Sequence, residues 1–104
     1  MAGEERTPVQ SMRVADEPLT PRGFEKIADL SSAEGLNVPE KAQFALISPE
    51  GADVRWRDDG TDPTASVGMP LADGATVWYI GNLDAVKFIE QAASAVLNVS
   101  YYGY

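Results

Sequence analysis

"DAVKFIEQAASAVL", residues 84–97, is the stretch that decides the fold class. Its alanines and the spacing of Val86, Ile89, Ala93 and Val96 suit one face of a helix. Read instead as two strands, "AVKFIEQA" (85–92) and the start of "AVLNVSYYGY" (95–104), it needs only a tight turn at Ala93-Ser94. The flanks favour strands. Downstream, Leu97, Val99 and Tyr101 alternate with Val96, Asn98, Ser100 and Tyr102, the two-residue period of a half-buried strand. Upstream, "TVWYIG" (76–81) is rich in β-branched and aromatic residues, and Asn82 to Asp84 turn the chain before the next run.

The same texture extends towards the N-terminus. "VRWR" (54–57) alternates strictly, with Val54 and Trp56 on one face and Arg55 and Arg57 on the other. "AQFALISP" (42–49) is an apolar run stopped by Pro49-Glu50-Gly51. "ASVGMPL" (65–71) reads as a strand bent near Gly68 and Pro70, with Asp73-Gly74 marking the following turn. "LNVP" (36–39) follows Gly35 and ends at Pro39, and "GFEKIADLS" (23–31) suits a strand or a short helical turn leading into Ser31-Ser32. About seven or eight short strands at roughly ten-residue spacing imply an all-β domain over residues 23–104, an antiparallel β-sandwich or small jelly-roll-like barrel.

Residues 1–22 differ from the rest. They hold Pro8, Pro18 and Pro21, seven charged residues and no aromatic. Val9, Met12, Val14 and Leu19 are scattered without a sustained period, too little apolar surface to offset the ordering entropy of the segment alone. An extended N-terminal arm is expected, either a loose terminus or a strap laid across a partner. At roughly 3.3 Å per residue it reaches about 70 Å. Val9, Met12, Val14 and Leu19 are therefore candidate partner-contact residues.

Composition closes several routes to chemistry. The 104 residues make one domain and include no cysteine and no histidine. Disulfides, thiolate metal sites, Ser-His-Asp and Cys-His catalysis are excluded, along with the commonest ligand for zinc, copper or iron. Sixteen acids against eight bases give a net charge of −8, spread along the chain. Such a surface repels phosphate backbones and anionic lipid, so neither nucleic acid nor membrane is an expected partner. "MAGEERTPVQSMRV" has no apolar core of a signal peptide, and nowhere do about 18 apolar residues run together.

One loop invites a sharper reading. "WRDDGTDPTASVG" (56–68) runs an aromatic and an arginine into Asp58, Asp59 and Asp62. Against an EF-hand template the pattern fails: counting from Asp58, the glycine falls third and Met69 stands where a glutamate is needed; an irregular calcium loop stays open as a lesser alternative, because hard cations accept many oxygen arrangements. Adjacent aspartates in a glycine-containing turn do not make a glycosidase acid pair, which needs carboxyls held apart across a cleft. The expected role is a turn at Asp59-Gly60, with Arg55 or Arg57 pairing to the acids. No catalytic residue, metal ligand or cofactor site is assigned. Trp56 and Phe88 are expected in the core, whereas Trp78 and Tyr79 invite comparison with aromatics that stack on sugars. Tyr102 and Tyr104 in the terminal "YYGY" are candidate partner contacts, because aromatics with polar tips are enriched at interfaces.

The runs "ALISPEGADVRWRDDGTDPTASVGMPL" and "VWYIGNLDAVKFIEQAASAVLNVSYYG", with "PRGFEKIADLSSAEGLNVP" upstream, resemble small proteins encoded among the structural genes of tailed bacteriophages and prophages. The likeness covers about Pro21 to Gly103, and its most specific piece is "VRWRDDGTDPTASVGM" (54–69). The resemblance carries no catalytic motif. It implies a virion protein assembled in the host cytoplasm, first of all a capsid decoration (cement) protein on the capsid surface, with the major capsid protein as partner and a homo-oligomer, often a trimer in such proteins, as its form. A tail, head-to-tail or fibre-associated component, and a carbohydrate-binding module displayed on the particle, are the alternatives.

Overall fold

The ladder pattern of the C-terminal strand organises the domain. In the computed structural model, which describes residues 18–104, Val96–Gly103 forms β8, and its residues alternate between half-buried and buried along its whole length. Leu97, Val99 and Tyr101 enter the core, as their two-residue period requires. Seven strands precede it: β1 (Thr20–Ile27), β2 (Glu34–Gly35), β3 (Phe44–Glu50), β4 (Val54–Arg57), β5 (Met69–Leu71), β6 (Val77–Tyr79) and β7 (Lys87–Glu90). Residues 84–97 thus contain the whole of β7 and the first two residues of β8, and no helix forms among the described residues.

Two four-stranded antiparallel sheets result, one in the order β1-β8-β3-β6 and the other β2-β7-β4-β5. We call them sheets A and B. The pairs β1–β8, β2–β7, β3–β6 and β4–β5 are nested, outermost with outermost and innermost with innermost. This is a long hairpin rolled so that successive pairs fall in alternate sheets, the winding of a jelly roll. The two sheets share no ladder, so the domain is a sandwich and not a closed barrel.

Between the sheets lies one apolar core. Sheet A contributes Ile47, Leu97, Val99 and Tyr101, and sheet B contributes Val54 and Phe88. Trp56 packs against this core and meets Tyr79 edge to face, ring centroids 5.8 Å apart. At the edge of sheet A, Glu25 points inward in register with Val99. It accepts hydrogen bonds from the Tyr101 hydroxyl and from the backbone and side-chain nitrogens of Asn37. A charged group turned inward, with its lone pairs satisfied, both fixes the register of β1 and blunts an edge strand against further pairing.

Three local details depart from the sequence expectation. First, β1 begins at Thr20, so Thr20 and Pro21, placed in the arm above, pair with β8, and Arg22 stands in a bulge before Gly23. Second, β3 runs through Pro49. The Pro49 carbonyl accepts from Gly74 on the β6 side, beyond the end of that short strand, so the missing N–H of proline leaves no ladder partner orphaned. Third, residues 65–68 are not strand. Thr64 and Val67 close a small turn, and only Met69–Leu71 pairs with β4.

Candidate interaction face

Alternation in sheet A sends half of its side chains away from the core; a polar row of Lys26, Asn98 and Ser48 lies towards one end of this outer side, and an aromatic and aliphatic cluster towards the other. One row across the strands reads Phe24, Ser100, Leu46, Trp78, and a neighbouring pair is Tyr102 beside Phe44. Trp78 meets Tyr102 edge to face at 5.3 Å and 66°, and Phe44 meets Tyr104 at 5.7 Å and 87°. Phe24 is 66% exposed, Trp78 47%, Ile80 75% and Tyr104 46%. An apolar cluster of this kind on one face marks an interaction surface more often than chance exposure does. Neither aromatic pair lies parallel, so neither offers a flat platform for a sugar ring.

Leu19 reaches the same place. Together with Phe44, Trp78, Ile80 and Tyr104 it lines an open pocket of about 290 Å³. The C-terminal end is tied down beside it, where the Arg22 guanidinium donates to the Tyr104 carbonyl and the Tyr104 N–H donates to Gln43 Oε1 at 3.0 Å. Of the six residues that the sequence marks as partner contacts, Leu19, Tyr102 and Tyr104 are brought together here. Val9, Met12 and Val14 lie outside the described residues.

Sheet B is finished differently. Its outer side carries Arg55, Arg57 and Lys87, in register with one another across β4 and β7 or adjacent to that register. The loop of residues 58–68 folds back to answer them. Arg55 donates to the Gly68 carbonyl at 2.8 Å, Lys87 pairs with Asp62 at 3.1 Å, and Arg57 makes two hydrogen bonds to Asp59 at 3.0 and 2.6 Å. The Arg57 hydrogen bonds hold the Asp59 carboxyl below the usual carboxylate range, and Asp59 in turn raises Arg57. Asp58 accepts from the Tyr79 hydroxyl at 2.6 Å. Burial first, and then this bond to a carboxylate, push the Tyr79 phenol up to about 12.

The three aspartates are thus engaged by three different partners, and Gly60 between them takes φ = 89°, as the turn reading expects. No group of three His, Cys, Asp or Glu side chains placed to hold a metal ion occurs among the described residues. Nor does any helix long and apolar enough to cross a membrane occur among them. Comparison with family models, with curated proteins and with solved structures finds no match. The site rests on its own geometry.

Sequence reasoning found the tyrosines of this face but missed Phe24, Phe44, Leu46 and Ile80. One signal was present. In "FALISP" (44–49) the residues on both faces are apolar, Phe44 and Leu46 as well as Ala45 and Ile47, and a strand apolar on both sides is one that expects cover on both sides.

Proposed function

We propose that this chain is a non-catalytic structural component of a tailed-phage virion, a capsid decoration protein that seats on the major capsid protein through the outer face of sheet A. The observation that carries the reading is the convergence of Leu19, Tyr102 and Tyr104 with Phe24, Trp78 and Ile80 on one exposed face. The sequence likeness over residues 54–69 supplies the virion context, and the nested two-sheet winding is an architecture that viral structural domains share, which supports the context by analogy only.

Physically, the face supplies attraction and the arm supplies avidity. Burying apolar surface is worth roughly 25 cal/mol per Å², so a modest patch gives a contact that is useful but weak in isolation. A short tether raises a second contact to an effective concentration of about millimolar, and the N-terminal arm expected from the sequence over residues 1–22 would supply such a tether to a neighbouring subunit. Capsomer junctions offer both contacts at once. Association of three copies at such a junction fits the closed symmetry of the lattice.

Quantitative mass spectrometry of purified particles tests this. A decoration protein appears at a copy number comparable with that of the major capsid protein and disappears from tails separated from heads. Recovery only with tails, in a small fraction of the capsid copy number, contradicts the decoration reading. Absence from particles contradicts the virion reading altogether.

A further inference from the structure

A strand at the margin of a sheet shows a row of N–H and C=O groups that pair with any strand reaching them, and proteins blunt such edges. Among the described residues four strands stand at sheet margins, and three of them are blunted. β1 carries Pro21, a register shift between Pro21 and Gly23, the inward Glu25 and the charged Lys26. β2 is only two residues long and includes Glu34, and β5 has Pro70 at its centre. β6, the other margin of sheet A, differs. Its register against β3 is regular, and residues 74–83 contain no charged residue and no proline, although the chain as a whole carries a net charge of −8.

A hollow also opens on each side of the sheet at this margin. On the inner side, Val77 and Tyr79 with Trp56 and Phe88 of sheet B line a space of about 250 Å³. On the outer side, Phe44 and Tyr104 line the pocket of about 290 Å³ described above. Trp78 and Ile80 line both, so the two hollows meet at the β6 edge. We propose that β6 is a receiving edge: an extended, acid-free run of apolar residues from another protein pairs with it as a fifth strand of sheet A, its successive side chains entering the inner and outer hollows in turn.

The geometry selects this occupant. β6 is three residues long, so a ladder alone offers few hydrogen bonds, and filling the hollows has to supply the rest. Both hollows are apolar, which calls for apolar residues at consecutive positions of the donor and not only at alternate ones. Asp58 stands at the inner hollow and the body is acidic, so a donor with carboxylates is disfavoured. A second copy fits less well. Its own β6 turns Val77 and Tyr79 into its own core and leaves the hollows unfilled, and it brings −8 against −8. The receiving edge does not depend on the virion reading; where both hold, the major capsid protein is the donor.

The test uses the full chain and a synthetic peptide of alternating valine and isoleucine between terminal lysines, N-methylated at alternate residues. Methylation on one edge keeps the peptide monomeric and leaves its other edge free to pair. Fluorescence anisotropy follows binding, and amide hydrogen exchange locates it. Protection confined to Val77–Ile80 is expected, and N-methylation at every residue, which keeps charge and apolarity but closes both edges, should weaken binding by about ten-fold or more. Equal binding of the two peptides, protection at β1, β2 or β5 instead, or no binding up to about a millimolar overturns the proposal. Sedimentation that shows a dimer of the free chain with its β6 amides already protected overturns it too, and makes a second copy the occupant.

Discussion

The outer sides of the two sheets are built from the same strand alternation yet finished in opposite ways. Sheet B turns out cations, and the 58–68 loop returns aspartates and a carbonyl to them, so each of Arg55, Arg57 and Lys87 finds a partner within the chain. Sheet A turns out aromatics and aliphatics, and Leu19 and Tyr104 line the open pocket among them. The difference teaches that burial on the inner faces holds the fold, whereas the outer face of sheet A is available for contact. A variant there should spare stability and cost binding. A variant between the sheets should do the reverse.

The largest effect on stability is expected in the shared core. Phe88→Ala removes a ring that is 1% exposed and belongs to the core between the sheets, and it should cost about 3–5 kcal/mol in chemical denaturation. Two transitions instead of one would break the idea of a single core. Next comes the loop over sheet B. Gly68 has φ = 141°, and an added Cβ would lie 3.0 Å from the Trp56 carbonyl oxygen. Gly68→Ala should therefore destabilise by about 1–3 kcal/mol and loosen the loop. At Gly60 an added Cβ meets nothing within 4 Å, so Gly60→Val bears only the backbone cost of φ = 89°, about 1–2 kcal/mol. A measured order of Gly60 above Gly68 would show that the loop is not seated on sheet B as described. Smallest is Ile80→Asp, expected within about 0.5 kcal/mol of the parent in stability, because a residue 75% exposed has little to lose. Its effect should instead fall on capsid binding.

Dependence on pH sharpens the same contrast, because the perturbed phenols belong to the interior. Tyr79 is raised to about 12 and Tyr101 is raised too, by burial first and then by Glu25. A folded value above the unfolded one, near 10, means that their stabilising contribution is complete below about pH 10 and is lost as pH rises through the folded values. Asp59 has the opposite sign: its depressed value contributes above about pH 4 and is lost as pH falls. With no histidine or cysteine, stability should be nearly flat between about pH 6 and 9 and should fall above pH 10. Denaturant titrations at a series of pH values check this, and Tyr79→Phe should flatten part of the alkaline decline.

Much of this fold was legible in the sequence where periodicity was strict. "VRWR" gave β4 residue for residue, and the alternation from Val96 onward gave β8 with its inward set. The helix-compatible spacing in residues 84–97 was overridden by pairing, since β7 lies between β2 and β4 and β8 between β1 and β3. The two-residue β2 and the true start of β1 carry no local signal, because both are set by partners distant in sequence. The candidate face was half legible for the same reason. Tyr102 and Tyr104 announce themselves at the chain end, but Phe24 joins them only because β1 pairs with β8, some 76 positions later at Ser100. In the loop, the Arg57–Asp59 pair was foreseeable from adjacency, and the Tyr79–Asp58 bond was not.

A density map of the phage particle tests the central claim most directly. The account predicts this sandwich at capsomer junctions, with Trp78, Ile80 and Phe24 of sheet A turned towards the major capsid protein and the 58–68 loop turned to solvent. Sheet A facing solvent while the loop contacts the shell, or no density for this chain on the head, would contradict it.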